Sequence, residues 1–143
     1  MIVLDANLLL YAYGEFSPHH QKAREWLEQV LSGNEAVGLP WQSMAAFVRI
    51  ATDPRVPGYR RSAKEALGVV SEWLDQPVVR LLFPSERSLS LFKKMVLEGQ
   101  ASGPLVSDAE LAALTIEHGG VLYTTDRDFA RFPGLRWVNP LTA

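Results

Sequence analysis

Six aspartates carry most of the chemical interest of this sequence: Asp5, Asp53, Asp75, Asp108, Asp126 and Asp128. Two of them stand next to apolar runs rich in β-branched residues. Asp5 follows Ile2-Val3-Leu4, and Asp126 follows Val121 to Thr125. Carboxylates gathered from distant parts of a chain repel one another, so such a group either takes up a proton or binds a cation. A hard divalent ion such as Mg²⁺ removes the repulsion and is held by one or two carboxylates, waters and a substrate phosphate. The chemistry that follows is phosphoryl transfer, with the ion polarising the phosphate or lowering the pKa of an attacking water. No rival machinery is present. There is no cysteine, and His19, His20 and His118 fit no metal-ligand spacing. The Gly-rich signatures GxGxxG and GxxxxGK[ST] are also absent from the chain.

These aspartates meet only if the elements around them bring them together. Strand candidates Ile2–Leu4, 36–39, 78–83, 121–125 and 135–139 alternate with helix candidates 8–12, 42–51, 60–74, 85–97 and 107–118, plus a helix capped by Ser17 and stopped by Gly33. Two helices have readable buried stripes: Ala23, Trp26, Leu27, Val30 and Leu31 in the first, Ala63, Ala66, Leu67, Val70 and Leu74 in the second. Gly119-Gly120 reads as the C-cap of the 107–118 helix. Strands alternating with helices predict a three-layer α/β/α domain with a central parallel sheet. Parallel strands share one carboxyl edge, so Asp5 and Asp126 meet there. A crossover helix runs antiparallel to its strands, which brings Asp108, near the start of its helix, to the same rim. Helix N-termini at that rim favour phosphate. Taken singly, each acid has an ordinary structural role. Asp108 sits in a Ser107-x-x-Glu110 capping box, and Asp126 and Asp128 are turn residues. Their convergence is what favours chemistry.

The residues that carry this pattern also carry a resemblance. Leu4-Asp5-Ala6-Asn7, the run Ser107 to Leu114, and His118-Gly119-Gly120 followed by Thr124-Thr125-Asp126-Arg127-Asp128-Phe129 resemble the PIN-domain family, and most of all its VapC toxins. The closing Phe132 to Pro140 is similar to a VapC C-terminus, so the likeness runs over the whole chain, which reads as a single PIN domain over 1–143. The resemblance implies a Mg²⁺-dependent endoribonuclease, with Mn²⁺ as a substitute, acting as the toxin of a type II toxin–antitoxin pair. It implies Asp5, Asp108 and Asp126 as catalytic residues, Asp5 and Asp108 as the Mg²⁺ ligands, and Asn7 and Thr124 as supporting residues, with Asp128 either behind the ligands in support or structural. It further implies an RNA substrate, tRNA among the candidates, a VapB-like antitoxin that covers the pocket with an arginine reaching the acids, and a homodimer. One departure stands out. The family places a further acid, commonly Glu, on the helix after the second strand, whereas no acid occurs between Glu35 and Asp53. Gln42 and Glu110 are the polar groups left to hold water there. One carboxylate fewer favours a single ion over a two-metal clamp, and keeps open a catalytically weak module that binds RNA or antitoxin. A phosphatase or receiver with an aspartyl nucleophile is a weaker reading, because Asp5-x-Asn7 lacks the second acid those chemistries place two residues on.

Charge refines the picture. Fourteen Lys and Arg against sixteen Asp and Glu give −2, which excludes a cationic coat. From Arg49 to Lys64, however, five bases face one acid, a local +4, while the other 127 residues carry nine bases and fifteen acids, −6. Arg49, Arg55, Arg60, Arg61 and Lys64 are therefore candidate RNA contacts, although a solvated helix face accounts for them equally well. Trp41, Phe47 and Tyr59 flank the segment and are suited to stacking on bases, with core packing the alternative for Phe47 and Trp41. Composition close to that of an average globular protein excludes disorder. No apolar run has membrane-spanning length, no basic segment precedes the apolar start, and cysteine is absent, so the expected location is the cytoplasm.

Overall fold

The computed structural model describes residues 1–142. Five short strands, β1 (Ile2–Leu4), β2 (Val37–Pro40), β3 (Val79–Leu82), β4 (Val121–Tyr123) and β5 (Trp137–Val138), form one sheet in the order β3-β2-β1-β4-β5. Every pairing is parallel. The side-chain alternation of β1 explains the layers. Ile2 and Leu4 enter a core built with helices α1 (Ala6–Tyr13), α2 (His20–Leu31), α3 (Trp41–Ala51) and α4 (Ala63–Leu74). Val3 enters a second core on the opposite face, against α5 (Ser88–Glu98), α6 (Leu105–Glu117) and the 3-10 helix Arg127–Arg131. Gly38 in β2 lies on that second face, where a Cβ would come within 2.5 Å of Leu82 Cδ1, so the Leu82 side chain fills the space that the glycine leaves.

The expected three-layer α/β/α arrangement is thus present, and the strand order adds a fact that matters for the site. The chain leaves β1 toward β2 and β3, then returns to β4 on the other side of β1. The change of direction falls between β1 and β4, and in open parallel sheets such a switch opens a crevice at the carboxyl ends of the strands.

Some local expectations are corrected. The buried face of α4 is Ala66, Val69, Val70 and Trp73, whereas Ala63, Leu67 and Leu74 face outward. Trp73 decides this rotation: its ring packs edge-on against Tyr13 and Phe47 and its indole N–H donates to the Tyr13 hydroxyl (3.2 Å). Burying that ring removes more apolar area from water than burying a leucine. Helix α6 begins at Leu105, two residues before Ser107, so Ser107 lies inside the helix and the Ser107/Glu110 capping box does not form. Trp41 is half exposed, stacked on Phe83, while Phe47 is fully buried. The C-cap expected at Gly119 is found: Gly119 adopts φ 64°, and the Gly120 N–H reaches back to the Thr115 carbonyl.

Candidate active site

The site grows from the last residues of β1 and β4. Leu4 pairs with Tyr123, so the next residues along, Asp5 and Thr124, leave the sheet side by side. Asp5 occupies the N-cap position of α1, but its carboxylate makes no cap hydrogen bond and stays available. The fully buried Thr124 hydroxyl donates to Asp5 Oδ2 at 2.7 Å. Thr124 Oγ1 itself accepts from the Asp126 N–H at 3.0 Å and from Asn7 Nδ2 at 3.3 Å, which saturates a group with one donor and two lone pairs. Asn7 Oδ1 is left buried with no partner. Burial raises the pKa of Asp5, the Thr124 bond opposes this, and the charge of Asp126 adds to the rise.

The other acids come from the return half of the chain. Asp126 caps the 3-10 helix, its Oδ1 accepting from the Asp128 N–H at 2.9 Å. Asp108 lies in the first turn of α6. One carboxylate oxygen from each of Asp108, Asp126 and Asp128 lies within 4.8 Å of the others. Asp128, expected in support of the ligands or as a structural residue, stands in the cluster beside two of the expected acids. Asp5 lies outside this close trio, within range of its charges. The consequence is largest at Asp108, whose carboxyl is pushed up to about 6 by burial and then by the charges of Asp126, Asp5 and Asp128.

Helix α3 supplies the remaining wall without any acid. Because β2 passes into α3 with no linker, Ser43 falls under the end of β1 and its buried hydroxyl donates to the Leu4 carbonyl at 2.6 Å. Gln42 Nε2 donates to the Ser107 carbonyl at 3.0 Å, and its Oε1 is buried without a partner. Gln42, Arg49 and Glu110 line an apolar groove of about 790 Å³ between α3, α5 and α6.

The bases of the 49–64 segment stand in different surroundings. Arg55 forms a forked ion pair with Asp53 (3.0 and 3.1 Å), and Arg61 donates to the Tyr13 carbonyl and lies over that ring. Arg49, Arg60 and Lys64 are exposed, and Arg49 stands at the apolar groove. The cation whose charge reaches Asp108 is Arg131, a residue outside that segment. Its signal was present in the sequence as the Asp128-x-x-Arg131 spacing, which eclipses both side chains on one side of a 3-10 helix.

Oxygen-only donors, a set of like charges that raises the pKa of Asp108, and an orphaned amide oxygen at Asn7 fit a hard divalent cation and no softer metal. Fold and site together define an open parallel α/β domain with a carboxylate cluster, consistent with a metal site, in its switch-point crevice. The PIN domain family model matches residues 2–135. The chain is 38% identical to ribonuclease VapC37 of Mycobacterium tuberculosis over 140 residues, covering 98% of this chain and 97% of that protein. It is 37% identical to ribonuclease VapC33 of the same species over 141 residues, covering 99% of each. Among solved structures it superposes on VapBC2 of Rickettsia felis bound to a promoter DNA fragment, with a TM-score of 0.72, 18% identity and 97% and 98% of the two chains covered. M. tuberculosis VapC20, a sarcin–ricin loop-cleaving toxin, gives a TM-score of 0.67 at 19% identity, covering 95% and 99%. The chain belongs to the PIN-domain family and, within it, to the VapC ribonuclease toxins.

Proposed function

We propose that this chain is the toxin of a type II toxin–antitoxin pair, an endoribonuclease that hydrolyses RNA phosphodiester bonds and requires Mg²⁺, with Mn²⁺ able to replace it. The convergence of Asp5, Asp108, Asp126 and Asp128 at the β1/β4 crevice carries this reading. Asp5 and Asp108 would hold the ion and Asp126 would complete the pocket. A bound divalent cation supplies positive charge to the scissile phosphate and acidifies the attacking water. The chain's own part is positional. Thr124 holds one oxygen of Asp5, and Asn7 steadies Thr124 while presenting its own unpartnered carbonyl oxygen. The acid-free α3 wall supports one ion rather than two. Arg49, Arg60 and Lys64, exposed and outside the ion pairs found among the described residues, remain the members of the basic segment suited to an RNA backbone.

The partners follow from the surface. The groove between α3, α5 and α6, with the stacked Trp41–Phe83 pair and the exposed Leu89 nearby, is an apolar face of the kind that binds protein. Small residues Ala45, Ala46 and Ala113 leave room for a helix. A second copy of the chain is assigned there, and a VapB-like antitoxin over the acids. No helix among the described residues is long and apolar enough to cross a membrane.

The direct test is cleavage of total tRNA by the purified chain, with and without EDTA, beside Asp108→Asn. Cleavage that needs the ion and disappears in the variant is expected. Cleavage indifferent to chelation would overturn the reading. RNA or antitoxin binding with no turnover under any divalent ion would favour the second reading, a weak binding module, for which the acid-free α3 wall speaks.

A further inference from the structure

We propose that Arg131 is the fixed cation that takes the substrate phosphate in this site; the proposal rests on the RNA-cleavage reading above. Three observations place it. First, Arg131 lies three residues after Asp128 in the 3-10 helix Arg127–Arg131, where a repeat of about three residues per turn puts both side chains on one side. Asp128 belongs to the close trio with Asp108 and Asp126, and Arg131 is near enough for its charge to act on Asp108.

Second, Arg131 pairs with none of them. The ion pairs among the described residues are Met1–Glu35, Arg24–Glu28 and Arg55–Asp53. The guanidinium is held instead from behind. Nη1 donates to the carbonyls of Gly99 (3.2 Å) and Gln100 (3.3 Å), at the C-terminal end of α5, where the helix dipole favours a cation. Nε and Nη2 have no partner among the described residues and remain free for a two-pronged contact with a phosphate.

Third, the clamp is built with backbone strain. Helices α5 and α6 end in the same motif, in which the residue after the cap turns left-handed and the next N–H reaches back to the helix. In α6 that position is Gly119, φ 64°, whereas in α5 it is Gln100, φ 51°, the one non-glycine with positive φ among the described residues. This turn aims two successive carbonyls at one guanidinium. A long, flexible side chain is thereby immobilised at the rim of an acidic pocket, with its free donors unspent. Cations in loops do not need such anchoring to keep a protein soluble. A phosphate brought against four acids does need one.

The test uses Arg131→Gln and Arg131→Lys, with Arg136→Gln as control. Arg136 also donates to a helix-end carbonyl, Gly119 O at 3.3 Å, but it precedes β5 and so lies at the opposite edge of the sheet. Binding of total tRNA is measured over a salt series in an Asp108→Asn background, and steady-state cleavage in the otherwise unaltered chain. Arg131→Gln is expected to weaken tRNA binding about tenfold and to lower the salt slope by about 0.7, one phosphate contact on a single strand. It should also lower kcat about a hundredfold. Arg131→Lys should recover the salt slope and part of kcat, and Arg136→Gln should leave both unchanged. If Arg131→Gln lowers the Tm while slope, KM and kcat stay as they were, Arg131 is only a structural clip and the proposal fails. Absence of metal-dependent cleavage by the unaltered chain defeats the ribonuclease reading instead, and the salt slope still decides the role of Arg131.

Discussion

The hydroxyl of Thr124 donates to the carboxylate of Asp5 across 119 positions of sequence, at 2.7 Å. Both residues are the first to leave adjacent, in-register strands, so the bond is a product of strand pairing rather than of any local turn. With Asn7 and the Asp126 N–H also on that oxygen, Thr124 joins the two halves of the site.

Replacing Thr124 by valine keeps the shape and removes all three bonds. A buried acid and a backbone N–H then lose their partner, so Thr124→Val should cost about 1–3 kcal/mol in urea unfolding and lower cleavage, while Thr124→Ser recovers both. A valine variant with unaltered stability would mean the network contributes nothing net.

The acids also set a pH dependence of stability. An unfolded aspartate titrates near 3.9, whereas Asp108 in the fold titrates at about 6. Between these values the folded chain holds a proton that the unfolded chain has released. Stability of the metal-free protein therefore falls as pH rises through that window and stays lower above it, with Asp5 acting in the same direction. Mg²⁺ competes with that proton, so its stabilising effect should be small at pH 5 and full above about pH 7. Tm measured against pH, with Mg²⁺ and with EDTA, checks both slopes.

Asp108→Asn separates function from stability. It removes one member of the like-charge group, so the metal-free variant should show an unchanged or higher Tm at pH 7.5 while losing at least about a hundredfold in cleavage. The Mg²⁺-dependent rise in Tm should shrink with it. Loss of fold in circular dichroism would show that the carboxylate is structural.

Gln100→Gly relieves the left-handed turn at the end of α5 while keeping both carbonyls that hold Arg131. It should stabilise the chain by about 0.5–1 kcal/mol and leave cleavage alone, as read by thermal melts and the tRNA assay.

For the apolar groove, Leu89→Asp places a charge on an exposed apolar side chain beside α3 and α6. Self-association seen by sedimentation should weaken by at least about tenfold, equivalent to the cost of desolvating one charged group at a protein contact. Unchanged association would assign the groove to another partner.

Much of this molecule could be read along the chain, because hydrophobic period, strand–helix alternation and cap residues act over a few neighbours. That is why Asp5 and Asp126 could be located at strand ends and Asp108 at a helix start, and why a parallel sheet then carried all three to one edge. Where a choice turned on which distant surface an element would meet, the chain alone left it open. The buried face of α4 went to Trp73 over Leu67 and Leu74 because Tyr13 and Phe47 were there to receive its ring. Asp128 joined the acids because the 3-10 helix turned its carboxylate toward α6. Arg131 owes its place to the carbonyls of Gly99 and Gln100 at the end of α5, and Gln42 to the Ser107 carbonyl of α6, partners that no local pattern locates. Positions of charge are written in the chain, but the distances between them depend on packing, and at a metal site distance decides which charges repel and which cooperate.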